Sequence, residues 1–452
     1  MGVVALADFG STYTKVRLVD PAEGMLLARA EAPTTVATDL MEGYGAALEA
    51  ALESLGVRPA IDEQLAVSSA GGGLRVAAVG LVADLTAAAA RQAALNAGAR
   101  VEAVLAGTLG DEQLDQLQAA RPEIVLFAGG TDGGQAELVL DNARRLAARQ
   151  VGGNAVVACN SAVAGEVAEI LRGGSSRVEV AENVMPELGR LEIDSARAAI
   201  LRLFLEHVIG GKGLSASAEF GRMVRLPTPE AVLEATRLLG DVVVIDVGGA
   251  TTDVHSNRSA EPAQPGIEDP LLPPPLTLRT VEGDLGLRAG AAGVAAVDGR
   301  WLEDEGAGTE TTIRHAVSLR AERPDWIPTE ENELRIDGLL AVGCATQALV
   351  RHCGTMLLTR AASGIPTLTR DGADLREARL VIGTGGVFAH REDGETILRS
   401  ALARKGARSL APVDPDIAID SNYVLAAAGL LSTEDRDGAI RLLRRELAAA
   451  PD

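Results

Sequence analysis

Two segments of the chain, one near its start and one past its middle, repeat a single pattern. Each has an apolar strand, a carboxylate at the strand end, a glycine turn and then small hydroxyl residues. The first is Asp8-Phe-Gly-Ser-Thr-Tyr-Thr-Lys15, leaving the strand Val3–Ala7. The second is Asp246-Val-Gly-Gly-Ala-Thr-Thr-Asp253, leaving Val242–Ile245. Such a recurrence calls for a fold built from two related halves. Glycine at such a turn lets backbone approach a ligand closely and aims successive N–H groups at phosphate oxygens. Gly10, Gly248 and Gly249 supply the turns, and Ser11, Thr12, Thr14, Thr251 and Thr252 are candidate hydroxyl donors. Asp8 and Asp246 would repel phosphate, but they suit a Mg²⁺ that keeps most of its water, and either could orient an attacking water. Lys15 fits two readings equally, a counter-charge for the β/γ phosphates or a solvated strand residue.

A third segment, Leu380-Val-Ile-Gly-Thr-Gly-Gly-Val387, is an apolar strand running into a glycine turn. Gly383, Thr384, Gly385 and Gly386 would let an adenine or ribose lie against backbone. Around these segments the pattern is α/β. The first thirty residues predict a β-meander, with Gly10–Thr12 and Pro21–Gly24 as turns. Helices are expected over Asp84–Ala97 and Ala136–Arg149, and buried strands over Ile124–Ala128 and Ala155–Cys159. Thr228 is placed to cap a helix with Pro229 at its first position and Gly240 as its stop. The second phosphate turn follows directly, so the expected lobes are 1–240 and 241–452. Arg258–Pro275 is expected as a surface loop and Ser432–Ala450 as a closing helix. Asp132, in the turn Ala128–Gly134, has two readings, a cap for Ala136–Arg149, which is preferred, or a group meeting Mg²⁺ or a water, while the glycines of that turn are read as facing a ligand.

With 63 acidic against 42 basic residues the formal charge is −21. That surface repels phosphodiester and anionic lipid, so nucleic acid and membranes are poor partners. Three cysteines cannot build a disulfide framework, and the odd count points to a reducing compartment. No apolar run is long enough to span a bilayer and no targeting segment stands out, so a cytoplasmic protein is expected. Cys344, His352 and Cys353 lie in an apolar helical stretch, Ile336–Leu358, and are expected as core residues without a metal. Gly210-Gly-Lys-Gly213 is only superficially like a Walker loop. Asp253-Val-His-Ser-Asn-Arg258 begins like a cobalamin-ligand motif but carries Arg258 where that motif needs glycine, so His255 is not expected to ligate cobalamin.

The paired turns and the third glycine turn resemble those of the superfamily of actin, hexokinase and the 70-kDa heat-shock ATPases. That resemblance implies two ribonuclease-H-like lobes with ATP or ADP and Mg²⁺ in a cleft between them. More of the chain resembles one branch, the MutL/GlmL accessory proteins of glutamate mutase. The matching stretches are Ser68–Leu74, Val79–Thr86, Ala128–Gly134, Asp246–His255, Val281–Gly286 and Gly383–Val387. The mismatch-repair protein of the same name is a different family, unsupported by the acidic charge. The branch implies a reactivating ATPase for an adenosylcobalamin-dependent mutase, and its chain could also self-associate. The alternatives are a small-molecule kinase of the same fold and a non-catalytic nucleotide-binding assembly factor. Glu282 and Asp284 are expected in a loop beside the nucleotide, with no role assigned.

Overall fold

Val3–Phe9 is apolar at every position except Asp8, as a central strand buried on both faces should be. In the computed structural model, which describes residues 2–150, 153–208, 213–215, 217–260, 266–360 and 366–447, it is β1. β2 (Tyr13–Asp20) and β3 (Met25–Pro33) complete an antiparallel meander. Asp39 then caps the helix Leu40–Leu55 through the N–H of Met41, and Gly56 closes it in the left-handed conformation. β4 (Ile61–Ser68) returns parallel to β1.

Between β4 and the last strand of this sheet the chain builds a second sheet. Its strands are β5 (Arg75–Gly80), β6 (Arg100–Ala106), β7 (Ile124–Gly129), β8 (Asn154–Cys159) and β9 (Arg177–Val180). All pair in parallel, in the order β6-β5-β7-β8-β9, the order of flavodoxin-like doubly wound sheets. The chain returns as β10 (Val224–Leu226), parallel to β4, so the first sheet runs β3-β2-β1-β4-β10.

The second half repeats this plan. β11 (Val242–Val247) pairs antiparallel with β12 (Thr252–Asn257). A short β13 (Ile267–Glu268) precedes β14 (Thr277–Glu282), which pairs antiparallel with β12. Helices Ala291–Asp304, Glu310–Glu322 and Glu331–His352 follow. β15 (Thr355–Arg360) and β16 (Pro366–Asp371) then form a small sheet with β13. β17 (Leu380–Thr384) and β18 (Asp416–Ile419) add in parallel beyond β11, giving β14-β12-β11-β17-β18. Order and strand directions match the first sheet position by position. The fold is α/β, a duplicated ribonuclease-H-like plan.

The chain separates into two compact units. One comprises Met1–Ala235, Leu271–Pro275 and Ala426–Leu442, and the other Thr236–Pro270, Leu276–Leu425 and Leu443–Asp452. In the first, Phe9 packs edge-on against Phe220 at 5.1 Å between ring centres. In the second, the helix Glu331–His352 buries Leu340, Ala341, Cys344 and Ala345 against the sheet face of Val243, Ile245 and Val254.

Several expected elements are corrected. Asp84–Ala97 is not one α-helix: Thr86 Oγ1 accepts the N–H groups of Leu81 and Val82, holding Ala83–Ala87 as a π turn before the α-helix Ala88–Asn96. The closing helix expected from Ser432 starts instead at Arg436 and runs to Glu446, preceded by a separate helix, Val424–Leu431. Ser432 or Thr433 would be the expected cap of the closing helix, but neither caps it; their hydroxyls donate back to the carbonyls of Gly429 and Leu430, and Asp435 takes the N–H of Gly438. The helix expected over Ile336–Leu358 runs from Glu331 and stops at His352, because Thr355 enters β15. Most of Gly210–Gly213, part of Arg258–Pro275 and the end of Ser432–Ala450 lie outside the described residues.

Candidate functional site

The two aspartate turns share their geometry down to single hydrogen bonds. Asp8 ends β1 opposite Lys15, and Asp246 ends β11 opposite Asp253. Two residues on, the N–H of Gly10 donates to Tyr13 O at 3.2 Å and that of Gly248 to Thr251 O at 2.9 Å. A Cβ on Gly10 would lie 2.6 Å from Tyr13 O, so that turn needs glycine, and one on Gly248 would lie 3.0 Å from Thr251 O, a tight approach. Ser11, Thr12, Gly249 and Ala250 are exposed at the two tips. Their backbone is therefore available to a ligand's oxygens.

Thr14 and Thr252, six residues beyond each aspartate, are corrected from donors to supports. Both are fully buried. Thr14 Oγ1 lies 3.2 Å from Thr34 Oγ1, and Thr34 Oγ1 in turn donates to Gly10 O. Thr252 Oγ1 donates to Leu285 O at 3.0 Å. In the second turn the loop after β14 adds further ties, from Leu287 N to Gly248 O and from Arg288 N to Gly249 O. Gly286 and Gly290 are required there, since a Cβ on either would fall within 2.6 Å of Ala250 backbone.

Lys15 Nζ stands 3.7 Å from Asp8 Oδ2, half-buried beside it rather than free in solvent. The other carboxylate oxygen, Oδ1, accepts a 2.7 Å hydrogen bond from Thr228 Oγ1. Thr228 is thus not the helix cap it resembles. Pro227 O already takes the N–H groups of Glu230 and Ala231, and the threonine proton goes to Asp8. The sequence signal was present, a hydroxyl between two prolines, but only the fold shows which carboxylate it meets.

The third turn sorts its residues differently. Gly383 is buried in β17, where a Cβ would fall 2.9 Å from Leu398 and Phe388. It is a packing glycine, not a ligand-facing one. Thr384 is also buried and donates to Asp420, which caps the helix Val424–Leu431. Gly385 has φ 96° and lies so close to β11 that a Cβ would be 2.5 Å from Val247 O and 2.7 Å from Asp246 Oδ1. Gly386 lines a cavity of about 320 Å³ with Val247, Gly248, Gly249, Leu287 and Ile327. Pro328, Leu334 and Val387 extend its apolar wall, and Arg288, Asp337, His390 and Arg391 line it as polar groups. The second and third glycine turns therefore face one cavity within one unit.

Sequence reading missed the polar frame of that cavity. Arg288 donates to Asp337 Oδ1 and Oδ2 at 3.3 and 3.1 Å and to Trp326 O at 3.1 Å. Arg320, wholly buried, meets Asp337 Oδ1 at 2.7 Å. These partners lie on separate helices and loops, so no local motif announces them. Arg351 clamps Glu282 and both oxygens of Asp284, holding the Asp284 carboxyl below the usual carboxylate range.

Asp132 caps no helix. Its Oδ1 accepts from Ser161 N and Asn183 Nδ2, both at 2.9 Å, tying the loop after β7 to the loops after β8 and β9. Burial would raise its carboxyl, but those hydrogen bonds outweigh it and hold it low. Cys344 and Cys353 are buried, and burial pushes the Cys344 thiol up to about 12. Among the described residues no group of three or more His, Cys, Asp or Glu is placed to hold a metal ion. None of their helices is long and apolar enough to cross a membrane.

A family model described as MutL protein matches residues 4–447. The protein MutL of Clostridium tetanomorphum is 38% identical over 460 residues, which span 99% of each chain. Among solved structures, nucleotide-free acetone carboxylase aligns over 95% of this chain and 70% of its own at 16% identity, with a TM-score of 0.43. Component A of the Acidaminococcus fermentans (R)-2-hydroxyglutaryl-CoA dehydratase covers 100% of this chain and 96% of its own at 10% identity and a TM-score of 0.29. A ROK family glucokinase from Streptomyces griseus, in complex with glucose and AMPPNP, covers 98% and 100% at 14% identity and a TM-score of 0.32. Scores this low say nothing of activity, and the fold rests on the strand order above.

Proposed function

The chain belongs to the MutL protein family, and from that premise we propose that it is an ATPase that reactivates an adenosylcobalamin-dependent mutase, with glutamate mutase as the first partner to test. The observation that carries the ATPase reading is the identical construction of the two aspartate turns, Gly10 N to Tyr13 O and Gly248 N to Thr251 O, beneath exposed backbone. Each such turn suits nucleotide phosphates, and the 320 Å³ cavity beside the second turn suits a nucleoside.

The residues present fit Mg-ATP. Gly385 lacks the Cβ that would collide with Asp246 Oδ1, and Gly249 and Ala250 leave open backbone beside it. Ser11, Thr12, Gly249 and Ala250 would hold phosphate oxygens, and Asp8 and Asp246 would face the ion through its waters. Mg²⁺ supplies charge neutralisation between the β and γ phosphates when bound. Lys15 adds positive charge beside Asp8, and either aspartate can orient a water for attack. The apolar wall of Leu287, Ile327 and Val387 accepts a flat base while excluding water. Reactivation requires that the ATP-bound and ADP-bound forms bind the mutase with different affinity.

Phosphate release from Mg-ATP, measured alone and with cobalamin-inactivated glutamate mutase, tests both levels of the proposal. Turnover that is lost in Asp246→Asn, together with ATP-dependent recovery of mutase activity, is the expected result. Turnover without recovery would discard the partner and keep the ATPase, and phosphate appearing on a small molecule would identify a kinase. Nucleotide binding without turnover would leave a non-catalytic assembly factor.

A further inference from the structure

We propose that Thr228 is a positioning residue for Asp8, an inference that rests on reading Asp8 as a carboxylate facing nucleotide-bound Mg²⁺. The two oxygens of Asp8 are engaged differently. Oδ1 receives the Thr228 hydroxyl at 2.7 Å, within the short range of bonds to ionised acceptors, whereas Oδ2 has Lys15 Nζ at 3.7 Å. Holding one oxygen fixes the carboxylate plane. It also keeps the group from swinging fully onto the lysine, which would quench the charge that a hydrated cation needs.

Thr228 is able to hold it because its own position is over-determined. Pro227 and Pro229 flank it and restrict the backbone on both sides. Glu230, fully buried, is ion-paired with Arg197, which also reaches Glu234 at 2.9 Å. Gly98 admits the turn at close range: a Cβ there would lie 3.0 Å from both Pro227 Cβ and Glu230 N. Behind it Gly429 passes Ala231 O so closely that a Cβ would fall 1.7 Å away. A turn locked by two prolines, an ion pair and two glycine contacts exceeds what starting the helix Thr228–Leu239 requires, since Pro227 O already binds the first free N–H groups. It does suit a hydroxyl that must stay aimed at one carboxylate oxygen.

The test compares Thr228→Val, which keeps the shape and removes the hydroxyl, with Thr228→Ser, which restores it. Binding of a fluorescent ADP is measured with EDTA and across a Mg²⁺ series, alongside steady-state ATP hydrolysis. In EDTA all three proteins should bind alike. The Mg²⁺ needed for half-maximal enhancement should rise roughly tenfold to a hundredfold in Thr228→Val, the range for losing a hydrogen bond to a charged group. kcat should fall while KM for ATP at saturating Mg²⁺ stays close to the parent value, and Thr228→Ser should recover most of both effects. A parental Mg²⁺ response in Thr228→Val overturns the inference, as does an equal loss in Thr228→Ser. A parent protein whose nucleotide binding ignores Mg²⁺ overturns the reading of Asp8 itself, and the inference with it. Should Thr228→Val melt early, Thr228→Ala carries the same comparison.

Discussion

Single residues decide whether a glycine turn serves a ligand or the fold, and Gly385 and Gly386 divide that labour as neighbours. Gly385 sits at φ 96° and ψ 164°, a region in effect reserved for glycine, with no room for a Cβ against Val247 O. Gly386 has open space where its Cβ would be and lines the cavity. Gly385→Ala should therefore lower the free energy of unfolding in urea by about 1–3 kcal/mol from backbone strain alone, with the collision adding to it. Gly386→Ala should leave that free energy unchanged or raise it by up to about 1 kcal/mol, while weakening nucleotide binding by filling the cavity. Equal destabilisation by both substitutions would refute this division. The same distinction separates Thr14 and Thr252, whose buried hydroxyls brace the turns, from Ser11 and Thr12, which stand at the tip. Composition and spacing alone make all four equivalent donors.

At the scale of elements, legibility in the sequence follows locality. Each strand of the meander, each aspartate turn and the third glycine turn is written in fewer than about ten consecutive residues, the length over which strand and turn signals act. The parallel sheet β6-β5-β7-β8-β9 was legible only as separate pieces, such as Ile124–Ala128 and Ala155–Cys159. Its membership in an insertion between β4 and β10 depends on pairings between distant strands. The Arg288–Asp337–Arg320 frame escaped for the same reason, since its members come from separate segments. A further element-scale feature is testable through pH. His352 closes its helix by placing Nε2 2.7 Å from Ser256 Oγ and Nδ1 2.8 Å from Thr280 Oγ1, which ties the helix to β12 and β14. Burial holds it neutral, at about 3, and burial with the charge of Arg279 holds His255 on β12 well below the ordinary histidine value. The unfolded chain binds these protons near pH 6.5 and the folded chain does not. Their stabilising effect is therefore complete above pH 6.5 and lost as pH falls below it. Between pH 6 and 5 each histidine should contribute a loss of up to about 1.4 kcal/mol per pH unit to the urea unfolding free energy. His352→Gln should flatten that slope relative to the parent, and an unchanged slope would mean His352 does not titrate on unfolding.

For the whole molecule, what matters is where the chain passes from one compact unit to the other. One passage, at Ala235–Thr236, falls inside the helix Thr228–Leu239. Two more, at Leu425–Ala426 and Leu442–Leu443, fall inside the helices Val424–Leu431 and Arg436–Glu446, while the remaining two, at Pro270–Leu271 and Pro275–Leu276, bound a short loop segment. A unit joined through a loose linker can unfold alone, because the linker carries no structure to lose. A unit joined through the middle of short helices cannot do so without breaking their hydrogen-bond ladders, and helices of this length are marginal once their packing is gone. The two units should accordingly unfold together. The aromatic residues make this measurable, because both tryptophans, Trp301 and Trp326, belong to the second unit. Tryptophan emission follows that unit alone, whereas far-ultraviolet circular dichroism follows helices and strands of both. Coincident urea midpoints by the two probes, in the absence of nucleotide, are the expected outcome. Should emission change at a clearly different urea concentration from ellipticity, the through-running helices would not couple the units. A first-unit variant such as Thr228→Val would then leave the emission transition untouched, whereas coupled units would shift both probes by the same amount.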